Sequence, residues 1–259
     1  MPDTVVVIPA RWGSSRFPGK VLAALGSRPL LLHVCELARR ATRVREIVVA
    51  TDDDRVAEVA TGAGYRAEMT RADHASGTDR VAEVASRLVA DVVIGLQADE
   101  PFLAPADVDA LAGALAGPDG PVLATLAVPL TDPSEFANPT VVKVVTTPGG
   151  RALYFSRSPI PYPRPARGAL PFPPAGPAPG VTWRHVGVYG WRREALLRFA
   201  SMGPSALERT EGLEQLRALE AGWPVAVLRA LGEPFGVDTP EDLTRAEQRL
   251  ARRSGDSSR

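Results

Sequence analysis

A basic, glycine-containing loop follows the first apolar run of the chain. Its sequence is RWGSSRFPGK, residues 11–20, and it holds the cations Arg11, Arg16 and Lys20 together with the hydroxyl of Ser14. Glycine lets backbone amides turn inward, arginine makes bidentate contacts with phosphate, and lysine acts as a mobile point charge. The residue types in this stretch therefore predict a site for a polyphosphate.

The loop does not follow the Walker pattern of P-loop enzymes. That pattern places four residues between its first glycine and a Gly-Lys pair, and a serine or threonine follows the lysine. Here five residues separate Gly13 from Gly19, and Val21 follows Lys20. The G-x-G-x-x-G signature of dinucleotide-binding dehydrogenases does not follow the first apolar run either. The loop therefore indicates a different nucleotide-binding device.

Short apolar runs alternate with helical patterns in the first half of the chain. Helices are predicted over 30–42, 78–88 and 105–115, the second with Thr78 as its N-cap. Near-continuous apolar runs are typical of parallel strands that are covered on both faces. The alternation predicts an α/β fold with a Rossmann-like, doubly wound and mostly parallel sheet. The predicted strands are 4–9, 46–51, 91–96 and 122–128.

The predicted sheet brings several loops to one edge. Ligands of doubly wound sheets bind beyond the carboxyl ends of the strands. In this chain those ends lead into the loops at 10–20, 51–54 and 97–101. We therefore expect the basic loop and the segment around Asp99 to face the same ligand.

The second half of the chain does not continue the regular alternation of strands and helices. Residues 140–147 and 152–156 predict a pair of strands, and a proline-rich stretch follows from 159 to 179. Proline forbids a regular helix or a central strand there, so this stretch is expected to be a loop. A further strand is predicted over 185–191, with three helices after it, the last of which opens at Thr239.

Composition excludes several classes of partner. Thirty basic residues balance thirty acidic ones, so no global field attracts nucleic acid or an anionic membrane. The single cysteine, Cys35, cannot form an internal disulfide. No apolar run approaches the ~18 residues of a membrane span, and the N-terminus shows no targeting signal. These features predict a cytoplasmic protein without membrane insertion and without a nucleic-acid partner.

A series of motifs along the chain carries a family resemblance. The loop resembles the signature loop of sugar nucleotidyltransferases, in which arginine and lysine clamp the phosphates of a nucleoside triphosphate. Over residues 4–250 the chain resembles the 3-deoxy-manno-octulosonate (Kdo) cytidylyltransferase family. The motifs, in order, are IPARWGSSRFPGK, ATDDDRV, TRADHASGTDR, LQADEP, NPTVVKVV, LYFSRSPIPY, RHVGVYGWR, LEQLRALEAG and GVDTPEDL.

The resemblance implies a reaction. The anomeric hydroxyl of Kdo would attack the α-phosphorus of CTP with Mg²⁺, giving CMP-Kdo and pyrophosphate for lipopolysaccharide biosynthesis. The metal carboxylates of the family correspond to Asp99 and Asp238, each of which follows an apolar run. Two carboxylates suffice, because Mg²⁺ takes its other ligands from phosphates and water. Glu100 is left out of the expected metal site.

The resemblance also implies roles for individual residues. The segment SGTDR opens a predicted helix, and a helix N-terminus attracts anions, so a nucleotide role fits it. The catalytic residues would be Arg16, Lys20 and Asp99. The nucleotide would be held by Arg11, Ser14, Arg16, Lys20, Ser76, Thr78, Arg80 and Gln97. The sugar acid would be held by Gln97, Arg157, His185, Tyr189, Glu214 and Gln215.

The expected organisation is one nucleotidyltransferase domain over residues 1–250. A smaller strand-containing insertion, 138–190, would serve the sugar site and dimerisation, and 251–259 would be a flexible tail. The family resemblance implies a homodimer. The proline-rich stretch would either contribute to the contact between protomers or close over the sugar site.

Two departures from the family pattern bear on function. Ala98 stands where the family has glycine before the metal aspartate, and Thr140 stands where it has asparagine. Two alternatives to the Kdo enzyme therefore stay open. One is a cytidylyltransferase for another acidic sugar, such as a sialic-acid-like nonulosonate or 8-amino-Kdo. The other is a non-catalytic CTP-binding homologue.

Overall fold

The computed structural model describes residues 2–13, 17–162 and 182–256, with side chains up to residue 252. The strands in these ranges are β1 (Thr4–Pro9), β2 (Ala24–Leu25), β3 (Arg28–Pro29), β4 (Glu46–Thr51), β5 (Arg66–Met69), β6 (Val92–Gly95), β7 (Leu123–Pro129), β8 (Lys143–Thr146), β9 (Ala152–Ser156), β10 (Trp183–Arg192) and β11 (Val225–Arg229). The α-helices are α1 (Leu30–Arg39), α2 (Asp54–Gly62), α3 (Gly77–Ser86), α4 (Pro105–Leu115), α5 (Pro133–Ala137), α6 (Arg193–Ala200), α7 (Ala206–Glu211), α8 (Gln215–Glu220) and α9 (Pro240–Asp256). A short 3₁₀ helix covers Lys20–Leu22.

One large sheet organises the chain. Its main path runs β11-β7-β10-β6-β1-β4-β5, and β8 joins it through β10 and pairs with β9. Strand β1 is parallel to β4 and β6, β4 is parallel to β5, and β7 is parallel to β11. Strand β10 runs antiparallel between β6 and β7. The expected mostly parallel sheet is confirmed, and one antiparallel strand separates its two parallel parts.

Two apolar layers cover the two faces of this sheet. Val6 and Ile8 of β1 pack into a cluster with α1, α2 and α4, whereas Val5 and Val7 pack into a second cluster with α3, α6 and α8. All four side chains are fully buried. Burial of each such side chain contributes about 1.5–3 kcal/mol relative to exposure. This two-sided burial is the reason that the strand reads as a continuous apolar run.

The N-cap prediction for the third helix is wrong by two residues. The hydroxyl of Ser76, not Thr78, accepts the hydrogen bond from the backbone amide of Asp79, at 3.1 Å. The helix then runs over Gly77–Ser86, so Thr78 lies inside its first turn. Both residues have the side-chain type of an N-cap, and Ser76 has the extended backbone that an N-cap requires.

The second half keeps its predicted strands but differs in its helices. The pair β8–β9 is antiparallel, β9 has the predicted bounds, and β8 is shorter than the predicted strand 140–147. Strand β10 extends the strand predicted over 185–191. Four helices follow β10 in the described ranges instead of three, because α7 and α8 are short, separate segments. Strands β5 and β11 are not anticipated from the sequence. Both are short edge strands, and helical patterns flank them on the chain.

The last helix begins where the sequence predicts. Pro240 lies in its first turn with Glu241 and Asp242, and the hydroxyl of Thr239 accepts from the amide of Asp242 at 3.2 Å. The helix continues to Asp256, into the segment that was expected to be a flexible tail. None of the helices in the described ranges combines the length and apolar character that a bilayer crossing requires.

Candidate active site

Three separate segments of the chain meet at a lysine held between two carboxylates. The ammonium of Lys20 lies 2.6 Å from Oδ2 of Asp99 and 2.9 Å from Oδ1 of Asp238. Lys20 opens the short 3₁₀ helix after β1, Asp99 follows β6, and Asp238 precedes α9. Because β1 and β6 are parallel neighbours, their carboxyl ends lie at the same edge of the sheet. The structure thus brings together the cation and both predicted metal carboxylates.

Burial and charge shift the ionisation of this cluster. Burial alone would lower the pKa of Lys20, but the charges and hydrogen bonds of Asp99 and Asp238 outweigh it, so the pKa lies above its ordinary value. Burial, and then the charge of Asp99, raises the pKa of Glu100 to about 8. Oε2 of Glu100 is buried and has no hydrogen-bond partner among the described residues. Because its pKa is raised, Lys20 is positively charged at neutral pH, and its ammonium group is paired with Asp99 and Asp238.

A cavity of 240 Å³ surrounds the lysine. The floor is formed by the ends of β1 and β6, and the N-terminus of α3 forms one wall. This nucleotide cavity is lined by seven of the residues predicted from the sequence, namely Arg11, Lys20, Ser76, Arg80, Gln97, Asp99 and Asp238. Three cations and the N-terminus of a helix thus face one cavity, which is the electrostatic setting that a polyphosphate requires.

Arg80 is a buried cation of this cavity. Its guanidinium lies 3.4 Å from Oδ2 of Asp52 and donates to the hydroxyl of Thr70. Asp52 lies in the motif ATDDDRV, for which no role was predicted. A buried charge is tolerated when it is paired and hydrogen-bonded, and Asp52 provides that pairing. Gly77, in the first turn of α3, lies beside the side-chain amide of Gln97.

Gly19 allows the basic loop to close on itself. Its φ of 71° is in the left-handed region, and a Cβ there would lie 2.8 Å from the ring of Trp12. The Gly19 amide donates to the carbonyl of Trp12 at 3.0 Å. The guanidinium of Arg55 lies 3.5 Å from the centre of the Trp12 ring, and its Nη2 is 2.6 Å from Asp53. The loop that ends at Lys20 is thereby stacked onto the first turn of α2.

Ser14 and Arg16 lie outside the described residues, as do residues 163–179 of the proline-rich stretch. Their predicted roles stay predictions. Within the described ranges, no group of three or more His, Cys, Asp or Glu side chains has an arrangement that could hold a metal ion by itself. A metal at the two aspartates would therefore complete its coordination with substrate oxygens or water.

Most of the residues predicted to bind the sugar acid form a second group, around β9, β10 and the start of α8, whereas Gln97 lines the nucleotide cavity. His185 and Tyr189 share β10, and their rings are 5.5 Å apart. The His185 ring also meets Phe155 of β9 edge-on at 5.1 Å. Burial lowers the pKa of His185 to about 3. The imidazole is therefore neutral at neutral pH and cannot act as the cation that binds a sugar carboxylate.

Hydrogen bonding fixes the tautomer of His185. The hydroxyl of Thr125 lies 2.9 Å from Nε2 of His185 and 2.8 Å from the carbonyl oxygen of Val188. A carbonyl only accepts, so the single hydroxyl proton goes to Val188 and the hydroxyl oxygen accepts from Nε2–H. The neutral ring then carries its proton on Nε2 and keeps Nδ1 as an acceptor. An acceptor at this position suits a sugar hydroxyl.

Arg157 is held by the backbone rather than by a charge. Its Nε donates to the carbonyl of Glu211 at 2.7 Å, Nη1 to that of Pro139 at 3.1 Å and Nη2 to that of Gly212 at 3.4 Å. Lys143, which no sequence pattern indicated, is fully buried and donates to the carbonyls of Asn138, Val141 and Arg157. Together these two cations tie β8, β9 and the segment before α8 into one unit.

Glu214 connects the two groups of residues. Its Oε1 accepts from the hydroxyl of Thr78 at 2.5 Å, whereas its Oε2 is buried without a partner among the described residues. Burial raises the pKa of Glu214, against hydrogen bonds from Thr78 and Ser76 that favour the carboxylate. The neighbouring Gln215 is 2% exposed, and its Nε2 has no partner in the described part of the chain. Thr78 does not line the nucleotide cavity.

The two departures from the family pattern are accommodated in the structure. Ala98 is buried, and no residue other than glycine has a positive φ in the described ranges, so its methyl group causes no backbone strain. Thr140 donates from both its amide and its hydroxyl to Oδ1 of Asn138, at 2.9 and 2.8 Å. A threonine therefore closes this turn through its own hydroxyl.

Comparisons with known proteins agree with this geometry. Residues 5–230 match the family model described as cytidylyltransferase. The chain is 46% identical to the 3-deoxy-manno-octulosonate cytidylyltransferase of Geobacter sulfurreducens, over 96% of this chain and 99% of the relative. It is 45% identical to the protein of the same name from Solibacter usitatus, over 96% of this chain and 95% of the relative.

A solved structure also shows similarity to this family. The structure of CMP:2-keto-3-deoxy-manno-octonic acid synthetase complexed with CTP superposes with a TM-score of 0.87 at 42% identity, covering 97% of this chain and 99% of that one. The relatives and the solved structure span nearly the whole chain, and the family model covers every site residue of both groups except Asp238. This chain therefore belongs to the cytidylyltransferase family, in its 3-deoxy-manno-octulosonate branch.

Proposed function

We propose that this chain transfers a cytidylyl group from CTP to the anomeric hydroxyl of Kdo, releasing pyrophosphate and supplying CMP-Kdo for lipopolysaccharide biosynthesis. The observation that carries the proposal is the contact of Lys20 with Asp99 and Asp238 at the edge of a cavity with further cations. Phosphoryl transfer depends mostly on positioning and charge neutralisation, and this cluster provides both. The names of the relatives favour Kdo as the acceptor.

The two aspartates fit a magnesium ion. Their carboxylates already contact one cationic group, the ammonium of Lys20, so they are close enough to share a cation. Mg²⁺ prefers oxygen ligands and is commonly bound by one or two carboxylates with substrate phosphates. When bound, the ion neutralises charge on the phosphates and polarises the phosphorus that is attacked. Asp99 and Asp238 would hold it, and Lys20 is the side chain that exchanges its carboxylate contacts for phosphate.

The other residues of the nucleotide cavity would bind different parts of CTP. Arg11 and Lys20 would neutralise the triphosphate, and Arg16 would add to them. Arg80, fixed by Asp52, offers a rigid guanidinium at the N-terminus of α3. Gln97, whose amide lies beside Gly77, would serve both the nucleotide and the sugar.

On the sugar side the roles differ from residue to residue. His185, through Nδ1, and the free oxygen of Glu214 would accept hydrogen bonds from hydroxyl groups. Gln215 and Tyr189 would complete the polar surface. Arg157 would act by holding backbone segments in place, because its guanidinium already donates to three carbonyls. The homodimer and the cytoplasmic location expected from the sequence stay predictions.

The test is pyrophosphate release by the purified protein with CTP and Mg²⁺ and, in turn, Kdo, 8-amino-Kdo and a nonulosonate. We expect turnover with Kdo to exceed turnover with the other acids. Release with a nonulosonate but not with Kdo would assign the chain to the first alternative. Tight CTP binding in a calorimetric titration, without product from any acid, would assign it to the second.

A further inference from the structure

The helix α3 joins the two groups of site residues through one side chain. Thr78 and Glu214 are 136 positions apart in the chain, and the Thr78 hydroxyl donates to Oε1 of Glu214 at 2.5 Å. Thr78 is 4% exposed. The nucleotide cavity is lined by Ser76, Gly77 and Arg80 but not by Thr78. The hydroxyl therefore points away from the predicted nucleotide site and toward the predicted sugar site.

The carboxylate of Glu214 is asymmetric as a result. Oε1 is occupied by Thr78, and Oε2 is buried with no partner in the described part of the chain. A buried carboxylate oxygen without a donor costs free energy unless a ligand satisfies it. The contact with Thr78 fixes which oxygen is kept for that ligand.

Other groups do not hold Glu214 in the same way. It occupies the position before α8, and no side-chain capping hydrogen bond orders that end of the helix. Its neighbour Gln215 has an unpartnered Nε2 among the described residues, so it does not brace Glu214 through that atom. Arg217 is already paired with Glu208 at 2.5 Å. Ser76 also interacts with the carboxylate, but its hydroxyl already donates to Oδ2 of Asp79 at 3.0 Å and accepts from the Asp79 amide at 3.1 Å. The short hydrogen bond from Thr78, at 2.5 Å, is thus the contact that fixes Oε1.

We propose that Thr78 is a positioning residue of the sugar site, whose hydroxyl orients Glu214 so that the second carboxylate oxygen can accept from a hydroxyl of the acidic sugar. This assigns Thr78 to the binding of the sugar substrate rather than to the binding of the nucleotide. The inference rests on the proposed function, since it concerns the acceptor of that same reaction.

The experiment compares Thr78→Val with Thr78→Ser in steady-state assays that vary CTP and Kdo separately. Valine keeps the shape and removes the donor, and a hydrogen bond to a charged group is worth about 10- to 100-fold. We expect the KM for Kdo of Thr78→Val to rise by about that factor, with the KM for CTP within about twofold of wild type. Thr78→Ser should restore most of the loss. Thr61→Val, the same exchange on an exposed face of α2, is the matched control and should behave as wild type.

Several results would overturn the inference. These are a rise in the KM for CTP alone, an equal rise for both substrates, no change, or failure of serine to rescue. A wild-type protein that makes no CMP-Kdo would instead refute the proposed function, which keeps the two failures distinguishable.

A double-mutant cycle gives a second test that does not depend on the valine variant. Thr78→Ala is measured alone and in a Glu214→Ala background. If Thr78 acts through Glu214, its effect on kcat/KM for Kdo should shrink to within about twofold once Glu214 is absent. Fully additive losses would contradict the inference. Calorimetric CTP binding by each variant reports whether the nucleotide cavity is still folded.

Discussion

Two cations of the nucleotide cavity are paired with carboxylates, whereas two cations of the sugar-side group are paired with backbone carbonyls. Lys20 contacts Asp99 and Asp238, and Arg80 contacts Asp52. Lys143 and Arg157 instead donate to carbonyl oxygens of the segments that they connect. A carboxylate can exchange a lysine for a metal ion, but a backbone carbonyl held by arginine is part of the scaffold. Under the proposed function, lysine and arginine would therefore serve chemistry in one region and hold backbone segments together in the other.

The largest effect is expected from removing a carboxylate that is paired with Lys20 in the nucleotide cavity. Replacing Asp99 or Asp238 by asparagine removes a charge that the proposed Mg²⁺ site requires and leaves the shape nearly unchanged. We expect kcat to fall by about 10³-fold, the scale seen when a key electrostatic group is removed. Pyrophosphate release at saturating CTP and Kdo measures it. Asp54→Asn, an exposed carboxylate in the first turn of α2, is the control. A loss below tenfold in both site variants would contradict the account.

A glycine exchange tests how the basic loop presents Lys20. Gly19→Ala puts a methyl group at positive φ and against the Trp12 ring, so we expect a loss of about 1–3 kcal/mol in unfolding free energy and a higher KM for CTP. Gly62→Ala is the matched control, because a Cβ there meets nothing within 4 Å and its φ is not positive. That variant should be as stable as wild type or more stable by up to about 1 kcal/mol. Urea denaturation compares the two, and equal stabilities would show that the loop is not constrained.

Arg157→Lys tests the scaffold on the sugar side. Lysine lacks the planar fork that reaches several carbonyls, so the variant should lose about 1–2 kcal/mol of unfolding free energy. Arg11→Lys, at an exposed cation lining the nucleotide cavity, should change stability by less than about 0.5 kcal/mol. Thermal denaturation of Arg157→Lys, Arg11→Lys and the wild type measures both stability changes. If Arg157→Lys were as stable as wild type and only the KM for Kdo rose, Arg157 would be a direct sugar ligand instead.

The smallest effect concerns pH. The pKa of His185 in the folded protein is about 3, below the value of about 6.5 in an unfolded chain. As pH falls below about 6.5, the unfolded chain takes up a proton that the folded protein refuses, so stability decreases with falling pH down to about 3. His185→Gln lacks this proton uptake. Between pH 7 and pH 5.5 the wild type should lose up to about 1 kcal/mol more than the variant. Equal losses in urea titrations at the two pH values would show that His185 titrates normally.

Much of the nucleotide cavity could be predicted from the sequence, because its residues lie in loops that directly follow recognisable strands. A parallel strand that reads as an apolar run ends in a loop, and the loops after β1 and β6 must meet at one edge. Lys20 and Asp99 were therefore expected near one another, and the family motif placed Asp238 with them. The structure adds the partners of these residues, such as Asp52 beside Arg80, which no local pattern identifies.

The sugar side could be predicted less well, because its contacts connect distant segments. The sequence indicated Arg157 and His185 as candidates but could not show that one is bound by carbonyls and the other is neutral. Both properties come from burial and from partners far along the chain, such as Glu211 and Thr125. The misplaced N-cap at Thr78 has the same origin: Ser76 and Thr78 both carry hydroxyls, and only the fold shows which one caps the helix.

Calorimetric titration of CTP, with and without Mg²⁺, tests the central claim most directly. If Asp99 and Asp238 together hold the ion that binds the triphosphate, Mg²⁺ should tighten CTP binding to the wild type by at least about tenfold, or about 1.4 kcal/mol. The same ion should change the affinity of Asp238→Asn by less than about twofold. A variant that keeps the full magnesium effect would show that the metal binds elsewhere and would contradict the account.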